Sequence, residues 1–293
     1  MKGCAVAQTL RGVILVTGAT GTVGRHVVSG LLSTGSAVRA LTRNPGSAGL
    51  PSGVEAVRGD LSDPGTLGPC LDGIESVFLV WPLLTADFTP ATLEAMAERA
   101  RRLVFLSSMG VRHDVDQQTD PVSQFHAGIE RMVKQSGLEW TFLRAGGFAA
   151  NTLGWAREIR ATGVVRWVYA AASRSLIHER DIAAVAVRAL TGDGHGGASY
   201  ILTGPQALTQ AEQVRVIGEA IGRQLRYEEI SPQAGRRQML AQGWPPSYVE
   251  GALRYWATLV AEPEPVTSTV EKVTGAPART FREWAADHAN DFR

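Results

Sequence analysis

The sequence predicts an α/β fold, a doubly wound parallel sheet followed by a smaller C-terminal lobe. Three observations carry this. Short β-branched runs alternate with amphipathic helical patterns through the first half of the chain. A glycine-rich turn follows the first run and opens the first helical pattern. The composition then shifts, with aromatics and glycine denser from Gly146 to Tyr169 and helix signals dominating beyond Thr209. With 293 residues, 44% hydrophobic and 19% charged, the chain can bury a sizeable core.

Val13–Val16 reads as the first strand. Val23, Val27, Val28, Leu31 and Leu32 then share one helical face, with Gly35 as the stop. Ala37–Thr42 is the second strand, closed by the turn Asn44-Pro45-Gly46. Val54–Val57 and Val77–Val80 are further strands, with a short helix within Asp63–Leu71. Thr92–Arg102 reads as a helix leading into a buried strand, Leu103–Ser107. Phe125, Ile129, Met132 and Val133 mark another helix, ended by Ser136-Gly137, and Trp140–Arg144 is the next strand. Ile182–Leu190 follows as a helix, with Asp181 as its N-cap, and Ser199–Thr203 as a strand. Hydroxyl–carboxylate pairs three residues apart predict capping boxes at Thr209–Glu212, Ser268–Glu271 and Thr280–Glu283. Proline and glycine break up 231–251. No internal repeat or low-complexity linker is visible, so one body carrying a lobe is expected rather than two independently folding domains.

Composition excludes several function classes. Lys plus Arg is 29 and Asp plus Glu 28, a net charge of +1, which argues against a dedicated nucleic-acid or anionic-membrane binder. Cys4 and Cys70 are too few for a disulfide scaffold or a Cys-rich metal site. No apolar run reaches the roughly 18 residues of a membrane span. The opening MKGCAVAQTLRG has one lysine and no long apolar stretch, so a cytoplasmic protein without a secretory signal is expected. No G-x-S-x-G elbow and no P-loop lysine supports a hydrolase or NTPase.

The most informative stretch is TGATGTVGR, with glycines at 18, 21 and 24 between a strand and an amphipathic helix. Gly18 serves the sharp turn, Gly21 lets the backbone approach a pyrophosphate, and Gly24 lets the helix pack closely on the sheet. The diphosphate then meets free amides at the positive helix end. An NAD site places an acid about 20 residues on, for the ribose diol. Here the place reads RALTRN, without an acid. An arginine fork there pairs with a 2′-phosphate, so NADP(H) is favoured, with Arg43, just after the strand, ahead of Arg39 within it. Asp60 and Leu61 follow the third strand; Asp60 either accepts from an adenine amino group or serves a turn.

Together TGATGTVG, RALTRNP, GDLSD and VFLSS, then FHAGIE, GLEWTFLRAGGFAANTLGW, HERDIAAVAVRAL and LTGPQALTQAEQ, resemble the atypical short-chain dehydrogenase/reductases of the NmrA-like, NAD(P)H-binding type, over nearly the whole chain. That group includes quinone reductases and redox-sensing regulators. The resemblance implies a Rossmann-type sheet with a smaller C-terminal substrate-binding lobe. Residues 1–145 would form the NADP-binding body, with 176–203 returning to it, and 146–175 and 204–293 the lobe. Gly18, Thr20, Gly21, Thr22 and Val23 would form the pyrophosphate loop, Arg43 would hold the 2′-phosphate, and Asp60 and Leu61 would flank the adenine. Val80, Trp81 and Pro82 would lie along the ribose. Ser107, Ala145, Gly146, Gly147 and Phe148 would border the nicotinamide. The segment Asp87–Arg102 looks shorter and less apolar than the family's helix there.

Tyrosine followed by lysine at four, the usual proton-donating pair of the wider superfamily, does not occur. The equivalent place holds His126 and Glu130, one helical turn apart, which suit either proton donation by His126 or a structural helix pair. Ser107 and Ser108 sit at a strand's carboxyl end, where they either donate to a carbonyl oxygen or hydrogen-bond to nearby loop backbone. His113, Asp114 and Asp116 fall in one polar loop without metal-ligand spacing and read as solvated, and His195 as a turn residue. No metal is expected. Trp155, Trp167, Trp244 and Trp256 read as core or pocket wall, or as a stack for a planar substrate. The expected activity is NADP(H)-dependent hydride transfer to a small quinone-like or conjugated aromatic carbonyl compound, including a biosynthetic tailoring step. An NADP(H)-binding redox sensor and a non-redox coupling enzyme on the same fold stay open as alternatives. Homo-oligomerisation stays open as well.

Overall fold

A computed structural model describes residues 12–82, 85–115 and 117–293. In chain order the first elements are β1 Val13–Val16, α1 Gly24–Ser33, β2 Val38–Thr42, β3 Val54–Arg58, α2 Gly68–Leu71 and β4 Ile74–Leu79. There follow α3 Thr89–Ala97, β5 Arg102–Ser108, α4 Pro121–Gln135 and β6 Glu139–Ala145. Next come α5 Ala156–Thr162, β7 Val164–Trp167, β8 Ser173–Arg174, α6 Glu179–Thr191 and β9 Ala198–Leu202. The chain closes with β10 Leu208–Thr209, α7 Gln210–Ile221, β11 Arg226–Glu229, α8 Pro232–Ala241, α9 Pro246–Thr258, α10 Thr269–Thr274 and α11 Phe281–Asp287.

The main sheet has seven strands in the order β3-β2-β1-β4-β5-β6-β9, the doubly wound arrangement. β1 pairs in parallel with β2, Ile14 opposite Val38, and with β4, Val16 opposite Phe78. Strands covered on both faces need continuous apolar runs, and Ile14, Leu15 and Val16 are accordingly buried, as are Val77, Phe78 and Leu79. The strand order reverses between β1 and β4, which opens a crevice at their carboxyl ends.

The chain divides into two compact units, each discontinuous in sequence. The first comprises Met1–Leu106, Ile129–Phe142 and Ala186–Ala198; the second comprises Ser107–Gly128, Leu143–Val185 and Ser199–Arg293. The second unit has its own core, with Trp167, Met239, Trp256, Phe281 and Trp284 among its buried members.

Several expected boundaries shift for identifiable reasons. The helix expected at Thr92–Arg102 starts at Thr89, where Pro90 suits a first turn, and stops at Ala97; Arg102 opens β5. Its guanidinium is buried and donates to the carbonyls of Ala189, Leu190 and Gly192, all within the first unit. The 231–251 segment is not broken up: Pro232 and Pro246 each open a helix, and Ser231 caps the first by accepting from the Ala234 amide at 3.2 Å. Capping boxes form at Thr209–Glu212 and Thr280–Glu283. The one expected at Ser268–Glu271 does not, because Ser268 sits at φ −92°, ψ 16° rather than in the extended conformation a cap needs. Among the described residues no helix is long and apolar enough to cross a membrane.

Candidate functional site

In the first unit, a cleft of about 510 Å³ lies over the carboxyl ends of β1 and β2, walled by Thr17–Gly21, Leu41–Asn44, Gly59–Leu61 and Pro82. The glycine loop is tied to the end of β4 through one hydroxyl. Thr17 Oγ1 accepts from the Val80 amide at 2.7 Å and donates to the Val80 carbonyl at 2.9 Å. Gly18 has φ +60°, the left-handed region that favours glycine. A Cβ on Gly24 would stand 2.7 Å from the Gly18 carbonyl carbon. The close packing at Gly24 is therefore against the loop's own backbone, not against the sheet. Thr20, Gly21 and Thr22 are exposed and Val23 is buried. Val23 gives α1 no side-chain cap, and the Thr22 and Val23 amides take no acceptor among the described residues. That is an anion-receptive helix start in a cradle that fits a dinucleotide diphosphate.

Arg39 within β2 and Arg43 just after it separate cleanly. Arg39 is engaged: Nε donates to Glu55 at 2.7 Å, and Nη1 to the carbonyls of Asp72 at 2.6 Å and Cys70 at 3.1 Å. Arg43 is exposed at the cleft wall and makes no hydrogen bond or ion pair among the described residues. Asp60 accepts from the Ser62 amide at 2.9 Å and the Ser62 hydroxyl at 2.7 Å. These bonds, with Arg43 nearby, hold its carboxyl below the usual range. It therefore stays ionised in a side-chain turn while still facing the cleft. Leu61 is buried and contributes to the same wall. Pro82 lines the cleft, whereas the Trp81 indole is buried and donates to the Thr85 carbonyl at 2.9 Å.

In the second unit, the segments after β5 and β6 meet. The Met109 amide donates to Ala145 O at 3.0 Å, and Gly146 donates to Leu202 O at 2.8 Å. The Phe148 region pairs with Ile177, whose amide donates to Gly147 O at 2.9 Å. A cavity of about 300 Å³ opens here, lined by Ser108, Met109, Ala145, Gly146 and Gly147 together with Tyr248, Tyr255, Trp256 and Glu264. Ser107 is buried at the strand end. Ser108 is half-buried, and its hydroxyl oxygen accepts from the Gly110 amide at 3.3 Å, which leaves its own proton to donate. His126 lies half-buried on α4, its ring 5.5 Å from that of Phe125, and does not line this cavity; Glu130, a turn further on, is buried.

A second chamber of the same unit, about 650 Å³, is lined by Trp155, Trp167, Trp244 and Trp256 with Gln210, Gln213, Gln238 and Gln242. All four tryptophans named from sequence thus stand in one wall, Trp167 and Trp256 5.7 Å apart. The two cavities share Asn151, Arg174, Trp244 and Trp256. Arg174, Tyr255 and Glu264 are not singled out by any motif, because they come from β8, α9 and the loop beyond it.

The remaining candidates have structural partners. Asp114 pairs with Arg112 at 2.6 Å, and His113 Nδ1 lies 3.3 Å from Arg144. Asp116 lies outside the described residues, as do Cys4 and the N-terminal segment, while Cys70 is buried and has no disulfide partner among the described residues. His195 follows a turn at Gly194, and its carbonyl accepts from Thr141 Oγ1 at 2.8 Å. Asp181 is not an N-cap. It lies inside the first turn of α6, and its buried carboxylate takes the backbone amide of Arg279 at 2.7 Å and the Arg279 guanidinium.

The sequence pattern of the NAD(P)H-binding family matches residues 18–193, from the glycine loop through α6. The (4-alkanoyl-5-oxo-2,5-dihydrofuran-3-yl)methyl phosphate reductase of Streptomyces griseus is 41% identical over 288 residues, 95% of this chain and 99% of that protein. The NAD(P)H azoreductase of Xenophilus azovorans is 37% identical over 285 residues, 95% and 99% of the two chains. A solved NADPH-dependent quinone oxidoreductase of Escherichia coli shares the fold at a TM-score of 0.77, with 24% identity over 94% of this chain and 98% of that one. With its glycine cradle, cleft and sheet order, the chain belongs to the NAD(P)H-binding, NmrA-like group of atypical short-chain dehydrogenase/reductases and is an NAD(P)H-dependent oxidoreductase.

Proposed function

We propose that this oxidoreductase prefers NADPH and reduces a planar conjugated carbonyl acceptor, of the quinone or unsaturated-lactone kind. The observation that carries the acceptor class is the aromatic-walled pair of cavities in the second unit, of about 300 and 650 Å³. Cavities of this size hold small ligands, and indole walls suit a flat conjugated one. The Streptomyces relative, by its name, reduces a furanone phosphate, and the Xenophilus relative is an azoreductase.

When bound, NADPH supplies a hydride. The chain's own part is binding and orientation. The free amides after Gly21 hold the diphosphate, and Arg43 offers an uncommitted fork to a 2′-phosphate. Ser108 has a spare proton for the acceptor's carbonyl oxygen, on which negative charge grows as hydride arrives. The balancing proton comes from water through the open cavity, since a conjugated acceptor needs no prior protonation.

The test is oxidation of NADPH, with NADH as control, against quinones, unsaturated lactones and simple aldehydes. The expected result is turnover with conjugated acceptors and a kcat/KM at least about tenfold higher with NADPH. Turnover confined to simple aldehydes, or equal use of both cofactors, would sink the respective half of the reading.

A further inference from the structure

We propose that Arg174 is an anion receptor in the acceptor cavities, so that the preferred acceptor carries a phosphate monoester or a carboxylate beside its reducible group. This rests on the reading of those cavities as the acceptor site. Arg174 lines both of them, and its side chain is only 14% exposed. A buried guanidinium with unmet donors is costly, so its partners matter. Among the described residues it donates no hydrogen bond, its buried Nε included. The nearby anionic oxygen, Glu264 Oε1, is 3.7 Å from Nε, beyond hydrogen-bond range.

Glu264 is itself occupied. Its Oε2 accepts from the Ser175 amide at 2.9 Å and the Ser175 hydroxyl at 3.1 Å, and its Oε1 from the Tyr255 hydroxyl at 2.6 Å. It compensates the arginine's charge without consuming the fork of donors. Gly147 makes room for that fork: a Cβ there would stand 2.7 Å from Arg174 Cζ. The guanidinium is thus seated against backbone in a wall shared by the smaller cavity and the tryptophan-lined chamber, with its donors unspent. A planar fork of this kind matches an oxyanion in two parallel bonds. The adjacent Trp244 and Trp256 suit the apolar remainder of such a ligand.

The test uses three ligands built on one conjugated butenolide: the hydroxymethyl phosphate ester, the carboxymethyl ether and the free hydroxymethyl alcohol. Each is titrated into the full-length wild type, Arg174→Gln and Arg174→Lys, following intrinsic tryptophan fluorescence, with NADPH affinity measured alongside. Wild type should bind the better anion at least about tenfold tighter than the alcohol, and the phosphate-to-carboxylate ratio identifies the oxyanion. Arg174→Gln should bring anion and alcohol to equal affinity, leaving alcohol and NADPH binding within about twofold; Arg174→Lys should fall between. Equal binding of anion and alcohol by wild type, binding of none of the three, or a preference surviving in Arg174→Gln would overturn the proposal. Should Arg174→Gln fail to fold, the wild-type ratio and Arg174→Lys decide. NADPH oxidation with the same ligands separates the two readings. Anion-selective binding without oxidation keeps Arg174 and removes the reductase assignment of the cavities; oxidation indifferent to the anion does the reverse.

Discussion

Arg39 and Arg43 lie near opposite ends of β2 and differ in situation. Arg39 is spent on Glu55 and two carbonyls, so removing it would loosen β2, whereas Arg43 has donors to offer a ligand. Arg43→Ala should therefore weaken NADPH binding at least about tenfold and NADH binding by less than about twofold, by fluorescence titration of each. An equal loss for both would remove the 2′-phosphate role. Gly24 is constrained differently, by the Gly18 carbonyl lying across it. Gly24→Ala should distort the loop, cost roughly 1–3 kcal/mol in urea unfolding, and weaken both dinucleotides alike. Intact binding would mean the loop yields freely. His126 stands apart from the walls of both second-unit cavities. His126→Ala should keep kcat within about threefold with an unchanged pH profile, a pattern expected when a side chain is not the proton donor. Loss of a limb near neutrality would restore the catalytic reading.

Helices and strands differ in how plainly the sequence announces them. The β1–α1–β2 unit is legible because its apolar periods are strong and its turn glycine sits where the chain must be left-handed. The first-unit cleft proposed for the dinucleotide is visible in the sequence for the same reason, since the loop and Arg43 that line it are short-range signals. Helices α8 and α9 were hidden by Pro232 and Pro246, residues that break a helix interior but open a first turn. Of the two second-unit cavities the sequence shows only parts, Ser108, Gly147 and the tryptophans; Arg174, Tyr255 and Glu264 belong to separate segments, with no spacing to recognise. Capping boxes show the same limit on a small scale, since spacing alone does not fix Ser268's backbone. Thr280→Ala should cost about 1 kcal/mol by urea unfolding, having lost a cap that accepts from the Glu283 amide at 3.2 Å. Ser268→Ala should stay within about 0.5 kcal/mol. Similar costs would show that Ser268 caps α10 in solution.

The start of α6 and the C-terminal helix close on one buried carboxylate, which makes overall stability depend on acid. Glu179 Oε1 lies 2.8 Å from His288 Nε2, and its Oε2 accepts from the Trp284 indole at 3.1 Å, with His178 Nδ1 at 3.4 Å. Burial pushes its pKa up, but hydrogen bonds from His178, its own backbone amide and His288 outweigh that and lower it from 4.5 to about 2. A carboxylate depressed in the folded state contributes stability that is full above its unfolded pKa and is lost as pH falls through the folded one. The window therefore runs from about pH 4.5 down to about 2, and the contribution is on the order of 3 kcal/mol. His178, His288, Asp287 and Arg180 all face this cluster, so the acid limb has to be isolated by difference. Glu179→Gln should be less stable than wild type by a few kcal/mol at pH 6 and should lose less of its stability between pH 5 and 3, by thermal unfolding of both proteins across that range. Parallel curves for the two would show that Glu179 titrates normally and that the C-terminal helix is held by Trp284 and Phe292 packing alone.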